Sequence, residues 1–392
     1  MIIELQQTTA SKVAQALLHG RQVAGSPAMG MVMTMVVVCE EKDFPAALDN
    51  ATQAALEHPA RIIFVVRRRG RKAQLNAEVR LGDGSPGEVV IFWVSGPVAD
   101  HSAGVVLPLL LPDAPVIVWW PGRAPDVPAT DQIGQLGTRR ITDSATAGEL
   151  LKRVEQTRTG DSDLAWTRLT TWRALLAAAL DQYPAQVTAA TVTASRNSAS
   201  GGLLAAWLRN RLGVPVELRT GGRRGLSDAR LVTAAGDVAL TRIDESTGTY
   251  RVPGQPQREV ALRRREVKEL LAEELRRLDP DEVYAEVVNT LLELQDSPAA
   301  TGSGRPATEP VERTARTKAP TRKTAVRKAP AQKTTAKKAP AKKATGKKTA
   351  AKKTAAKKTT AKKAPAKKTP TKRATGSRKT TSAASSTRSR TR

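Results

Sequence analysis

The sequence predicts an α/β protein: two α/β units with mixed sheets, followed by a disordered Lys/Ala/Pro/Thr-rich C-terminal tail. Three observations carry this. Apolar, β-branched runs alternate twice with helical-period stretches in the order strand, helix, strand, and that order makes a parallel crossover unit. All twelve aromatic residues fall in the first three quarters of the chain, with none beyond Tyr284. The charge is equally partitioned. The 392 residues hold 64 Lys plus Arg and 37 Asp plus Glu, a net of +27, yet 30 of the basic and only two of the acidic residues lie from 301 onward. The first 300 residues therefore hold 34 basic and 35 acidic groups and are close to neutral.

In chain order, "TTASKVAQALLHG" reads as a short helix with a Thr or Ser cap and Gly20 just past its end. "MVMTMVVVC" is a continuous apolar run that suits a strand buried on both faces. Leu48, Ala51 and Ala55 recur at helical spacing between Asp43 and Glu57, and His58-Pro59 stops that helix. "RIIFVV" follows as a strand. "AQLNAEVRLG" and "EVVIFWVSG" are two further strands around "GDGSPG". The glycines at 82, 84 and 87 match the GxGxxG dinucleotide fingerprint in form only, because a strand rather than a helix follows. Pro86 and Gly87 make this a hairpin turn.

A short helical stretch in "HSAGVV" precedes the strand Val116 to Trp120, and "RRITDSA" is another strand. "TAGELLKRVE" has a capping box, with Thr146 at the cap and Glu149 three residues on. After the turn-like "TRTGDSD", "DLAWTRLTTWRALLAAALD" reads as one helix carrying Leu169, Trp172, Leu176 and Ala179 on one side. "QVTAATVTAS", "LLAAWLRNRLG" and "VPVELRT" repeat strand, helix, strand, and a meander of short strands fills Ala229 to Arg251. "REVKELLAEELRRL" and "DEVYAEVVNTLLELQ" are amphipathic helices, the second expected to have Asp279 as cap and Pro280 at its first position. The expected boundaries are an N-terminal α/β domain over 1–158, a C-terminal α/β domain over 161–297 and the tail over 298–392.

The N-terminus has no basic region followed by an apolar run, so it does not read as a signal peptide. "VVLPLLLPDAPVIVWW" is too short and too broken by prolines to span a membrane. Cys39 is the single cysteine, which excludes an internal disulfide and suits a reducing, cytoplasmic setting. Its strand context reads as an inert core thiol.

No catalytic constellation emerges. His19, His58 and His101 are scattered, and neither a GxxxxGK[ST] loop nor a GxSxG elbow occurs. The paired carboxylates of "GDSD" and "DPDE" read as helix caps. "SRNSASGG" lies between a strand and a helix, so it is either a plain connection or an anion-holding loop. "RRRGRK", residues 67–72, is the body's one dense basic cluster, in a loop that exposes it to solvent, to phosphate or to a partner. Alternation puts Trp119 and Trp120 on opposite faces of their strand. Either both pack inside, or one reaches a site or interface. No cofactor or metal is implied.

"PLLLPDAPVIVWWPG", "RRITDSA", "GDSDLAWTRLTTWRALLAAALD" and "LAEELRRLDPDEVY" resemble the signature segments of the OpcA family, the glucose-6-phosphate dehydrogenase assembly proteins. "EHPARII" and "TTASKVAQAL" fit as well, and together these segments extend the resemblance over residues 5 to 295. The resemblance implies a non-catalytic partner that promotes assembly and activity of glucose-6-phosphate dehydrogenase. Some family members are described as redox-responsive through cysteines, which Cys39 alone does not permit within one chain. On this reading the partner surface draws on aromatic and arginine anchors. The candidates are Trp119, Trp120, Arg139, Arg140, and, between Asp161 and Arg173, the side chains of Asp161, Asp163, Trp166, Arg168, Trp172 and Arg173.

The tail is not part of the family pattern. Lysine doublets recur every five residues: Lys337 and Lys338, Lys342 and Lys343, Lys347 and Lys348, Lys352 and Lys353, Lys357 and Lys358, Lys362 and Lys363, Lys367 and Lys368. With few apolar side chains larger than Ala, it buries too little surface to offset the entropy of ordering. It suits nonspecific, salt-sensitive binding to DNA or RNA and lacks aromatic residues to stack on bases. Two other functions stay open: a nucleic-acid-associated adaptor, with nucleoid localisation through the tail, and a sugar-phosphate sensor using the α/β loops.

Overall fold

The computed structural model describes residues 1–24, 30–82, 87–222 and 224–296. Two mixed sheets with helices account for them, in one compact unit. The tail, with its lysine doublets, lies outside the described residues.

The first sheet is built from β1 (Ile2–Leu5), α1 (Ala10–Ala24), β2 (Met33–Glu40), α2 (Phe44–Ala54), β3 (Ala60–Arg67), β4 (Gln74–Leu81), β5 (Glu88–Ser95), the short α3 (Pro97–Asp100) and α4 (Ser102–Val106), β6 (Val116–Trp119), β7 (Arg139–Thr142), α5 (Ala147–Val154) and β8 (Asp161–Asp163). Its strand order is β1-β4-β5-β3-β2-β6-β7-β8. The six strands from β5 to β8 run parallel, and β4 pairs antiparallel with both β5 and β1. Helices cover both faces of the central strands, which is why β2 and β3 read as unbroken apolar runs. Met35, Val37 and Cys39 enter the core on one face, and Val36 and Val38 enter the core on the other.

The glycine fingerprint joins β4 to β5 with Leu81 opposite Glu88, the pairing of a hairpin rather than of a phosphate-binding strand–helix turn. Residues 83–86 themselves lie outside the described set. Helix α1 does not stop at Gly20. A Cβ there would meet Leu81 Cδ1 at 2.4 Å, so the glycine lets the helix press against β4 instead of capping it. "GDSD" is not simply a turn either, because β8 adds its three residues to the sheet edge beside β7.

The second sheet comprises β9 (Val187–Ala194), β10 (Val216–Thr220), β11 (Leu226–Thr233), β12 (Val238–Arg242), β13 (Thr247–Arg251) and β14 (Arg258–Ala261), in the order β10-β9-β11-β12-β13-β14. Only β9 and β10 are parallel, joined through α8 (Ala199–Leu212) as the strand, helix, strand pattern requires. The expected long helix after Asp163 is two: α6 (Leu164–Thr167), capped by Asp163, and α7 (Thr170–Gln182). Helices α9 (Val267–Leu275) and α10 (Glu282–Asp296) close the body. Asp281, not Asp279, caps α10: its Oδ1 accepts from Tyr284 N at 2.9 Å, which leaves Pro280 outside the helix.

The cores interleave across the two sheets. Helix α10 packs on α8 in the second core. Helix α9, although far along the chain, buries Leu270, Leu271 and Leu275 against Ala47, Ala51 and Ala54 of α2 on the first sheet. His58 Nε2 at 3.0 Å from Ala272 O and the Arg276–Glu57 pair at 2.9 Å fasten the same contact.

Candidate functional site

Most of the residues singled out as partner anchors converge on one polar seam between β7, β8, α6 and the α9–α10 turn. Asp163 ends β8 and begins α6. Its carboxylate accepts from Ala165 N at 2.9 Å, Thr142 Oγ1 at 2.6 Å, and both N and Oγ of Ser144. A buried carboxylate is tolerated there because every one of those groups donates to it. Arg139 donates to Glu274 Oε2 at 2.7 Å, to Ser162 Oγ at 3.1 Å, and to the carbonyls of Arg277 and Asp279. Arg140 is held by Asp161 and by the carbonyl of Gly137 at 2.8 Å. Gly160 beside them has φ +92, and a Cβ there would lie 2.3 Å from Thr138 O, so the close approach of β7 and β8 demands glycine.

Glu274 is held by Arg139, Thr167 Oγ1 and Ser162 Oγ. Burial raises its carboxyl above the ordinary value, and those three partners oppose the rise. Trp166 lies beneath Arg173, whose guanidinium carbon is 3.6 Å from the ring centroid, while its Nε1 donates to Asp281 at 2.9 Å. A shallow groove of about 200 Å³ runs over this seam, lined by Arg173, Thr170, Glu273 and Arg277 among others.

The structure corrects the expectation of exposed anchors. Trp119 is 0% and Trp120 1% exposed; they do take opposite faces, but each face is core. Arg139, Arg140, Asp163, Trp166 and Trp172 are buried as well. Their types looked like interface residues because a buried ion-pair seam and an exposed hot spot both use Arg, Asp and Trp. Asp161, Arg168 and Arg173 keep partial exposure. The loop 67–72 is exposed throughout, with Arg68 paired to Glu41 at 2.9 Å.

A second feature was only partly in the sequence reading, which offered "SRNSASGG" as either a plain connection or an anion-holding loop. The C-terminal ends of β6, β7 and β9 and the N-termini of α5 and α8 border one cleft of about 940 Å³. The carboxyl ends of parallel strands are where α/β sheets open a crevice. Thr146 Oγ1 accepts from Glu149 N at 3.2 Å at the head of α5, and Ser198 Oγ accepts from Gly201 N at 3.2 Å at the head of α8. "SRNSASGG" thus caps a helix on the cleft wall. Arg168 closes one side through a two-pronged pair with Asp143 at 2.6 and 2.9 Å. The remaining cationic lining comes from segments distant in sequence. The available signal was that Arg123, Arg196, Arg224 and Arg264 each lie two to four residues beyond the end of a strand.

Burial pushes the Cys39 thiol up to about 12, with nearby Asp43 adding to the effect. Among the described residues no three His, Cys, Asp or Glu side chains gather as metal ligands, and no helix is long and apolar enough to cross a membrane.

Residues 51–159 match the glucose-6-phosphate dehydrogenase subunit N-terminal domain, and residues 159–288 match the corresponding C-terminal domain. No curated protein matches. Among solved structures, the 3-ketoreductase KijD10 from Actinomadura kijaniata, in complex with NADP and TDP-benzene, is 10% identical with a TM-score of 0.40. That match covers 66% of this chain and 95% of the ketoreductase. An oxidoreductase from Sinorhizobium meliloti is also 10% identical with a TM-score of 0.40, over 67% of this chain and 96% of its own. Likenesses that weak carry no argument. The two domain families, matched in order over residues 51–288, show the family: this chain belongs to the OpcA family of glucose-6-phosphate dehydrogenase assembly proteins.

Proposed function

We propose that the body is a non-catalytic partner that binds glucose-6-phosphate dehydrogenase, promotes its assembly and raises its activity allosterically in the cytoplasm. The observation that carries this reading is the in-order match to both domains of a family named for that enzyme's subunit. The polar residues of the seam support it, since their side chains are committed to one another rather than to a substrate. Activation follows if the body binds the active conformer or oligomer better than the inactive one. A coupling of about 1–3 kcal/mol corresponds to roughly 5- to 150-fold. Arg173 and Arg277 on the seam groove, with Arg68 and Arg69 on the exposed loop, are arginines that keep surface for a partner.

Dehydrogenase activity, titrated with the full chain and with residues 1–297, tests this. Equal saturable activation by both is expected. Absence of activation by either, with folding confirmed by circular dichroism, overturns it. The tail, at net +28 from residue 301 onward, is assigned a tethering role toward nucleic acid or acidic surfaces, and its removal is expected to abolish salt-sensitive DNA retention without lowering activation.

A further inference from the structure

The cleft at the ends of β6, β7 and β9 is strongly cationic. Its lining has seven Arg or Lys and three Asp or Glu residues. Two of the acids are already engaged: Asp143 by Arg168, and Glu149 by the backbone N–H of Ala145 at 3.0 Å. Four of the cations, Arg123, Lys152, Arg196 and Arg224, have no acidic or hydrogen-bonding side-chain partner among the described residues. Arg153 reaches only the neutral Ser144 hydroxyl, at 2.6 Å, and its Nε is buried without an acceptor. Like charges held around one concavity repel, and the walls focus their field, so the arrangement favours a counter-anion.

The cleft's other chemistry narrows that anion. Helices α5 and α8 both start on it, and Ala147 N donates to Asn197 O at 2.8 Å, tying the two starts together. The first turn of α8 has no acidic residue to cancel its positive end. Thr146, Ser195 and Ser198 each accept from a backbone N–H and keep their hydroxyl hydrogens, whereas Ser144 and Ser200 donate theirs to Asp163 and to Ala165 O, and no Phe, Tyr or Trp lines the cleft. An aromatic base would find no stacking partner there, whereas sugar hydroxyls and phosphate oxygens would find donors. A volume of about 940 Å³ is ample for a metabolite with more than one phosphate.

We infer that this cleft binds a small polyphosphorylated, non-aromatic metabolite of the sugar bisphosphate class, held by Arg123, Lys152, Arg196 and Arg224 over the paired starts of α5 and α8. The assignment does not depend on the dehydrogenase reading, because the ligand meets residues of this chain alone.

Thermal unfolding of the full chain at low salt tests it, with fructose 1,6-bisphosphate, inorganic phosphate, ATP and glucose as probes. The readout separates cleft from tail, since an anion held equally by a basic tail before and after unfolding does not move the midpoint. Fructose 1,6-bisphosphate is expected to raise the midpoint by roughly 3–5 °C at a hundred times its dissociation constant, and further with the logarithm of its concentration. Inorganic phosphate should act more weakly and glucose not at all. Arg196→Ala and Arg224→Ala are each expected to weaken the effect about tenfold or more, as loss of a charge-assisted hydrogen bond does. Arg251→Ala, on the second sheet away from the cleft, should leave it unchanged. No shift at 10 mM bisphosphate, a shift indifferent to both cleft variants, or a preference for ATP overturns the inference. So does loss of dehydrogenase binding in Arg196→Ala without any ligand effect, which would make the cleft a protein contact.

Discussion

Cys39 shows how neighbours set the chemistry of one atom. It sits on β2 with both sheet faces covered, and its thiol is raised from near 9 to about 12. A raised value means that the neutral thiol contributes stability below pH 9 and that this contribution is lost as pH climbs toward 12. At pH 8 the native thiolate population is roughly a thousandfold below that of an ordinary thiol, because each tenfold drop in thiolate accompanies a pKa higher by one. Labelling by a thiol reagent at pH 8 is therefore expected to be at least a hundredfold slower in the native protein than in urea, and comparable rates would show the strand to be open. At this scale the sequence was informative: an apolar β-branched run around the cysteine already implied burial. It left Trp119 and Trp120 open, because alternation assigns faces but does not say whether a face is covered.

Between elements, the seam that joins β7 and β8 to α9 rests on the Arg139–Glu274 pair, 2.7 Å apart and almost free of solvent. Removing one partner of a buried pair leaves an uncompensated charge and costs about 3–5 kcal/mol. Glu274→Ala is expected to lower stability by about that amount in urea unfolding. Arg139→Ala with Glu274→Ala should cost less than the two single changes together. Strict additivity would show that the pair is not coupled. Helices and strands themselves were largely legible, since their periods follow from backbone geometry. The misplaced boundaries have particular causes. Gly20 is a packing glycine inside α1, Asp281 rather than Asp279 meets the α10 backbone, and Asp161–Asp163 pairs as an edge strand despite its turn-like composition.

For the molecule as a whole, the sequence divides the body at residues 158 and 161 without deciding whether the two units fold independently, and the packing supplies a sharper expectation. A chain ending at residue 158 lacks β8 from the sheet edge and α9 from the face of α2. It is expected to bind a hydrophobic dye and to unfold without a cooperative transition, whereas residues 1–297 should melt as the full chain does. Cooperative unfolding of 1–158 would show that α9 is dispensable to the first sheet. By itself the sequence determined the α/β class, the order of most elements, the neutral body and the basic tail, because hydrophobic period and charge are local properties of the chain. Tertiary structure alone decided which Trp and Arg side chains are buried, that α9 returns to the first sheet, and that cations from residues 123, 152, 196 and 224 share one cleft. Those depend on contacts between segments far apart in sequence, and no local pattern records which distant segment will cover a given face.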